Sequence, residues 1–184
     1  MTSSQVFGAR AGRHAAARAK AMKELPEVNN NNDPVGFQLD RINHLKRCAG
    51  SRKPQQFMEI LKKLAWENLL VVRTRDGLLE LLERLEEMRK EMVDHLSVEG
   101  TGDLIKSLEL NDMLRAGEIV GRVALMRTES RGSHYRDDFP ERDDGHWLHS
   151  IAVKKVQGEM KLATTRIDEQ WQMAPDDLKG LWWG

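Results

Sequence analysis

One stretch of the sequence, residues 127–144, concentrates side chains that could bind an anion or pair with one another. It contains four arginines, one histidine and six acids. A guanidinium group forms paired hydrogen bonds with a carboxylate or a phosphate, so the stretch suits either an anion site or an internal ion-pair network. We favour the network, because the acids of the stretch already balance its arginines.

An anion site in this stretch would draw on its cationic side chains and on its histidine. Those residues are Arg127, Arg131, His134 and Arg136. Gly132 follows a long helical pattern, and we expect it to end that helix in the left-handed conformation that glycine adopts easily. The small-anion hypothesis stays open as the weaker alternative.

No other motif in the chain identifies an enzyme or a metal site. Gly100-Thr101-Gly102 lacks the third glycine and the preceding strand of a dinucleotide-binding fingerprint. His146 and His149 are three residues apart but have no cysteine nearby, and Cys48 is the single cysteine of the chain. We therefore expect no catalytic, cofactor-binding or metal-binding residue here.

Composition further limits the classes of function that the chain could have. The 29 basic and 29 acidic residues give a net charge of zero, which argues against nucleic acid as a partner. No apolar run approaches the roughly 20 residues of a membrane helix, so we expect no direct membrane insertion. Charged residues make up 32% of the chain and aromatic residues 5%, a balance typical of long solvated helices rather than sheets.

The hydrophobic pattern predicts a mainly α fold. Apolar residues recur at helical spacing in three long segments, which predict an antiparallel three-helix bundle similar to a spectrin repeat. Its helices are expected over 55–72, after an N-cap at Asp76, and over 107–129. An extra helix over 6–23 precedes the bundle, and a small β-hairpin around Gln157-Gly158 follows it.

We accordingly divide the chain into four parts. They are a terminal helix (1–24), a linker with a short helix (25–54), the three-helix bundle (55–132), and a charged loop, β-hairpin and Trp-containing tail (133–184). The tail also contains Trp171, and its adjacent Trp182 and Trp183 suggest a docking surface, since an exposed pair of tryptophans would be costly.

The charged stretch also resembles a known family. Its pattern Arg-x-Glu-Ser-Arg-Gly-x-His-x-Arg-x-Asp-x-Pro is similar to that of the C-terminal helical domain of succinate dehydrogenase and fumarate reductase flavoproteins. Aspartate oxidase and the adenylylsulfate reductase flavoprotein share that domain. The matching residues are Arg127, Glu129, Ser130, Arg131, Gly132, His134, Arg136, Asp138 and Pro140.

Two further segments follow the order of the family. The run from Trp66 through Val71-Val72-Arg73-Thr74 to Gly77-Leu78 is similar to a stretch before the family's Gly-Leu. The run Val6-Phe7-Gly8-Ala9-Arg10-Ala11-Gly12 resembles the last helix of the flavin-binding domain. The resemblance implies that the small face with Gly8 and Gly12 packs on that domain.

The resemblance also implies what this chain does not contribute. In the family, the FAD fingerprint and the substrate-binding residues lie upstream of this region, so no catalytic residue of the family maps here. We expect a detached C-terminal domain of an FAD-dependent fumarate reductase or succinate dehydrogenase, because 184 residues are too few for the whole enzyme. The nine matching residues would then be mainly structural, holding the bundle end against the flavin domain.

Partners and location follow from the same resemblance. The expected partner is the FAD-binding domain or subunit of the parent flavoprotein, and a further candidate is an iron–sulfur subunit. The expected location is cytoplasmic, or peripheral to a membrane through the parent complex. A standalone helical interaction module is the main rival hypothesis.

Overall fold

The structure is a computed structural model that describes residues 2–22 and 34–167, with side chains for 6–22 and 35–167. The chain divides into two compact units at the Asp40–Arg41 boundary. The first unit contains helix α1 (Thr2–Ala21) and the start of helix α2 (Pro34–Lys46). Helix α1 is rich in alanine and arginine, both strong helix formers, and its last turn carries Arg18 and Lys20 beside the negative helix end.

The second unit is organised around helices α3 (Pro54–Leu69), α4 (Arg75–His95) and α5 (Thr101–Met126), which pack against one another in all three pairs. Leu85 of α4 lies beside Gly117 of α5, and Leu81 lies beside Gly121 one turn further on. From one contact to the next the residue number falls in α4 and rises in α5, so the two helices run antiparallel. The two glycines let the leucine side chains approach the α5 backbone closely.

The core of this unit lies between the three helices, on the stripe that the hydrophobic period predicts. Each fully buried leucine contributes about 1.5–3 kcal/mol to folding relative to an exposed one. The second half of α2 adds Leu45 to the same core. The central buried side chains are Phe57, Leu61, Leu81, Leu85, Met88, Leu110 and Leu114.

Two predicted helix starts are wrong. Thr74, not Asp76, caps α4, because Thr74 has extended backbone and its hydroxyl accepts a hydrogen bond from the Gly77 amide at 3.1 Å. Helix α5 begins at Thr101 rather than near Ser107, so Gly102 lies inside it. The cost of a helical glycine, about 1 kcal/mol, is offset because Leu104 and Leu108 pack on the core.

The strands of the second unit form two small pairs. Strand β1 (Val72–Arg73) pairs in parallel with β2 (Tyr135–Arg136), a contact that the sequence analysis did not predict. After the short helix α6 (Asp144–Trp147), strands β3 (His149–Val156) and β4 (Glu159–Arg166) form an antiparallel hairpin. Gln157 and Gly158 turn it with positive φ angles of 50° and 90°, as a tight two-residue hairpin turn requires.

The mainly α fold and the β-hairpin are thus confirmed. The likeness to a spectrin repeat and the four-part division of the chain remain predictions. The tail tryptophans, Trp171, Trp182 and Trp183, lie outside the described residues. Among the described helices, none combines the length and the apolar character needed to cross a membrane.

Candidate functional site

The charged stretch folds back at the end of helix α5. After Met126 the chain leaves the helix, turns, and returns as strand β2 alongside β1. The amide of Asp137 donates a hydrogen bond to the Arg73 carbonyl at 2.9 Å and continues this pairing. The stretch therefore lies where α5 ends, next to the end of α3 and the beginning of α4.

Glu129 is at the centre of the arrangement and is completely buried. Its carboxylate accepts hydrogen bonds from Arg131 Nε at 2.8 Å and Arg131 Nη2 at 2.9 Å. It also accepts from the guanidinium of Arg127 and, at 2.9 Å, from the backbone amide of Asp143. Four donors thus satisfy a carboxylate that water does not reach.

These contacts determine the charge states of Glu129 and Arg131. Burial alone would raise the pKa of Glu129, but hydrogen bonds from Arg131, the Asp143 amide and Arg127 outweigh it and hold the pKa below its ordinary value. The hydrogen bond to Glu129 raises the pKa of Arg131, against the opposing effect of burial. Both groups are therefore charged at neutral pH.

Arg127 links the end of α5 to the segments that follow the charged stretch. Besides binding Glu129, its guanidinium donates to the carbonyls of Trp147 at 3.1 Å and His149 at 2.6 Å. It also lies over the Trp147 ring, 5.1 Å from the centroid, as in a cation–π contact. Arg127 thereby fixes α6 and the start of the hairpin to the helix end.

Arg136 caps helix α5 from inside the protein, with only 1% of its surface exposed. Its Nη1 donates to the carbonyls of Ala124 at 2.7 Å, Arg127 at 3.2 Å and Leu125 at 3.3 Å. The final carbonyls of a helix have no partner within the helix, so a buried helix end needs such donors.

Arg136 also forms an ion pair with Asp138. Arg136 donates to both of its oxygens, at 2.7 and 2.6 Å, and this hydrogen bonding lowers the pKa of Asp138. The same carboxylate accepts from the backbone amide of Arg75 at 3.2 Å, in the first turn of α4. The Arg136–Asp138 pair therefore joins the end of α5 to the start of α4.

Ser130 and Gly132 shape the loop that carries these pairs. The Ser130 hydroxyl donates to the Phe139 carbonyl, beside Pro140, at 2.8 Å and accepts from the Arg136 amide at 2.9 Å. Gly132 has φ of 59°, which confirms the expected left-handed conformation. Its expected place at a helix end is wrong, because α5 has already ended at Met126 and Gly132 lies in a turn.

Arg73 also belongs to this site, although its role was not predicted from the sequence. Its guanidinium donates to the Leu69 carbonyl at the end of α3, at 3.0 Å, and lies 3.3 Å from His134 Nδ1. Because arginine only donates, Nδ1 accepts, and the proton is therefore on the buried Nε2. Burial lowers the pKa of His134, a backbone hydrogen bond with Arg127 partly opposes this, and the positive charge of Arg73 lowers the pKa further.

The arrangement leaves little capacity for a bound anion or cofactor. Arg127, Arg131 and Arg136 all donate to acceptors of the protein itself, which counts against the small-anion hypothesis. The described residues do not fit an FAD site, since they contain no glycine-rich turn between a strand and a helix. No three potential metal ligands come together within the described ranges, 2–22 and 34–167.

Comparison with known proteins identifies the motif. The family model described as "Fumarate reductase flavoprotein C-term" matches residues 58–177. The chain belongs to this family. It is a C-terminal domain of the fumarate reductase and succinate dehydrogenase type of flavoprotein, as the motif around Arg131 indicated.

Two relatives of this flavoprotein domain match most of the chain. An uncharacterized FAD-dependent oxidoreductase of Methanocaldococcus jannaschii is 36% identical over 156 residues, covering 84% of this chain and 27% of that protein. One subunit of the fumarate reductase (CoM/CoB) of Methanothermobacter marburgensis is 34% identical over 159 residues, covering 84% and 28%. The chain thus spans little more than a quarter of the length of these relatives.

Solved structures contain the same fold. The Sdh1 complex of Mycobacterium smegmatis aligns with a TM-score of 0.76 at 26% identity, over 95% of this chain and 31% of that one. Quinol fumarate reductase of E. coli aligns with a TM-score of 0.76 at 22% identity, over 88% and 29%. Adenylylsulfate reductase of Archaeoglobus fulgidus aligns at 0.70 and 20%, over 89% and 29%. The last two show the fold alone.

Proposed function

We propose that this flavoprotein domain packs against an FAD-binding domain or subunit, and that it takes no part in the chemistry itself. The complete flavoprotein would transfer a hydride between FAD and a dicarboxylate such as fumarate or succinate. The observation that carries the proposal is that each motif arginine donates to this chain's own acceptors. Arg127 and Arg131 bind Glu129, and Arg136 binds Asp138.

The nine motif residues would then act structurally. They connect the end of α5 to the start of α4 through Arg136 and Asp138, and to the hairpin through Arg127. Breaking a buried ion pair is destabilising, because either partner alone is an uncompensated buried charge. Such a network gives the helix ends one fixed arrangement, which a packing surface requires.

The surface for this packing is the apolar groove, which we define as the groove between α3 and α5. It has a volume of about 540 Å³, and its exposed rim includes Trp66, with 72% of its surface exposed. An exposed apolar groove of this kind is typical of a protein interface. Its main lining residues are Leu61, Ala65, Trp66, Leu69, Met113 and Val120.

The FAD-binding part is the partner that we propose for the apolar groove. An iron–sulfur subunit is the second candidate, and the complex would be cytoplasmic or peripheral to a membrane. To test whether the chain alone binds flavin or catalyses a reaction, the purified chain is assayed for flavin absorbance and for reduction of fumarate. We expect neither, whereas stoichiometric FAD or turnover by the chain alone would overturn the proposal.

A further inference from the structure

A second surface, which we name the basic cleft, lies between helix α5 and the tip of the β-hairpin. It has a volume of about 770 Å³ and belongs neither to the network around Glu129 nor to the apolar groove. Two acids, Glu118 and Glu159, also line it. Its cationic side chains are Arg89, Arg115, Arg122, Lys154 and Lys155.

The acids of the cleft are already engaged. Glu118 accepts from Arg89 at 2.7 Å and from Arg122 at 2.8 Å, and Glu159 accepts from Lys161 at 2.6 Å. The remaining three cations, Arg115, Lys154 and Lys155, form no ion pair within residues 34–167. The basic cleft therefore keeps a local excess of positive charge, although the whole chain is neutral.

Two of the cations of the basic cleft are spaced along helix α5. Arg115 and Arg122 are seven residues apart on α5, which places them on one face about 10 Å apart along the axis. Ile119 lies between them on the same face. Val153 and Met160 of the hairpin are also apolar lining residues. The cleft thus alternates positive and apolar contacts over a length that a single phosphate or acetate group does not span.

We propose that the basic cleft binds an acidic segment of a protein partner, in which carboxylates flank an apolar side chain. Carboxylates of the segment would pair with Arg115, Lys154 and Lys155, and its apolar residue would lie on Ile119. Complementary charge of this kind sets specificity and the rate of association. The proposal is independent of the packing function, because it uses a different surface.

The test measures binding of a labelled peptide to the full chain by fluorescence anisotropy. The probe is a dodecapeptide with three copies of Glu-Glu-Leu-Glu, and a second peptide has Gln in place of Glu. We expect the Glu peptide to bind, and added salt to weaken its binding. Replacing Arg115→Ala, Lys154→Ala and Lys155→Ala together should raise the Kd roughly tenfold, as expected for three exposed ion pairs.

The matched control removes three positive charges outside the basic cleft, through Lys46→Ala, Arg47→Ala and Lys106→Ala. It should change the Kd less than about twofold, since none of these side chains lines the basic cleft. Equal losses in the two triple variants would overturn the proposal, as would failure of the folded chain to bind the Glu peptide. Displacement of the peptide by tripolyphosphate at equal affinity would also overturn it, in favour of a small polyanion.

Discussion

Arg131 and Glu129 pair through two parallel hydrogen bonds of 2.8 and 2.9 Å, although they are only two residues apart in the sequence. The carboxylate is completely buried, while the guanidinium also reaches Asp144 nearer the surface, at 2.6 Å. The pair therefore connects a dry site at the helix end to the exposed loop. The stability of the helix end should depend on this pair being complete.

Removing the central carboxylate should destabilise the domain. Glu129→Ala leaves the guanidinium groups of Arg127 and Arg131 without their shared acceptor, so we expect a loss of about 1–3 kcal/mol in the free energy of unfolding. Urea denaturation followed by circular dichroism measures it. Glu141→Ala, a change at an exposed acid of the same stretch, is the control and should stay within about 0.5 kcal/mol. A similarly small effect of Glu129→Ala would mean that the network is merely solvated.

Arg136 should not tolerate the conservative change to lysine. A single ammonium group cannot bind both oxygens of Asp138 and three helix carbonyls at once, so Arg136→Lys should cost about 1–3 kcal/mol. Arg142→Lys is the matched control, because Arg142 is half exposed and pairs with Asp144 near the surface. Comparable unfolding midpoints for the two variants would contradict the capping role of Arg136.

The two glycines at 102 and 132 should respond to alanine with opposite signs. Gly132 has a positive φ, so Gly132→Ala should destabilise the domain by about 1–2 kcal/mol. Gly102 is helical and a Cβ there meets no described atom within 4 Å, so Gly102→Ala should stabilise it by up to about 1 kcal/mol. Thermal unfolding of both variants gives the signs, and equal signs would show that the backbone assignment is wrong.

His134 should make the domain sensitive to mild acid. Its pKa in the folded state is lowered by burial and by the charges of Arg73, Arg127 and Arg136, which together outweigh a backbone hydrogen bond with Arg127. As the pH falls through about 6.5, the unfolded chain takes up a proton that the folded state resists, so the free energy of unfolding should decrease towards the lower folded pKa. At pH values above the unfolded-state pKa, the stability that neutral His134 contributes is fully present.

Urea titrations between about pH 7.5 and 5.5 measure this dependence. His134→Gln should flatten it, whereas His44→Gln, at an exposed histidine, should leave it in place because His134 remains. An unchanged slope in His134→Gln would show that another group is responsible.

Much of the fold could be predicted from hydrophobic spacing. The stripe through Leu78, Leu81, Leu85 and Met88 gives α4 its orientation towards the core, and Gln157-Gly158 marks the hairpin turn. The β1–β2 pairing could not be predicted in this way, since a strand of two residues has no period and forms only when Val72 meets Tyr135 in the folded chain.

The site was only partly predictable for the same reason. The balance between acids and arginines indicated an ion-pair network, and the family motif identified its members. The motif did not indicate which acid pairs with which arginine. Glu129 and Asp138 form the pairs because the folded chain places them at the buried end of α5. Arg73 was missed although it lies in a family-like segment, because its contacts with Leu69 and His134 arise only in the tertiary structure.

The central claim, that the apolar groove packs on an FAD-binding partner, is tested most directly by crosslinking in the native cell. Lys62 is exposed and lines the groove, so mass spectrometry of its lysine crosslinks identifies what covers this surface. The matched variants are Val120→Asp in the groove and Val93→Asp on an exposed part of α4 outside it.

We predict crosslinks from Lys62 to a sequence with a glycine-rich FAD fingerprint, in the same or another polypeptide. Val120→Asp should reduce them severalfold, and Val93→Asp should not, because a buried unpaired carboxylate opposes packing in the groove only. Crosslinks from Lys62 only to proteins without that fingerprint, or equal crosslinking in both variants, would contradict the account.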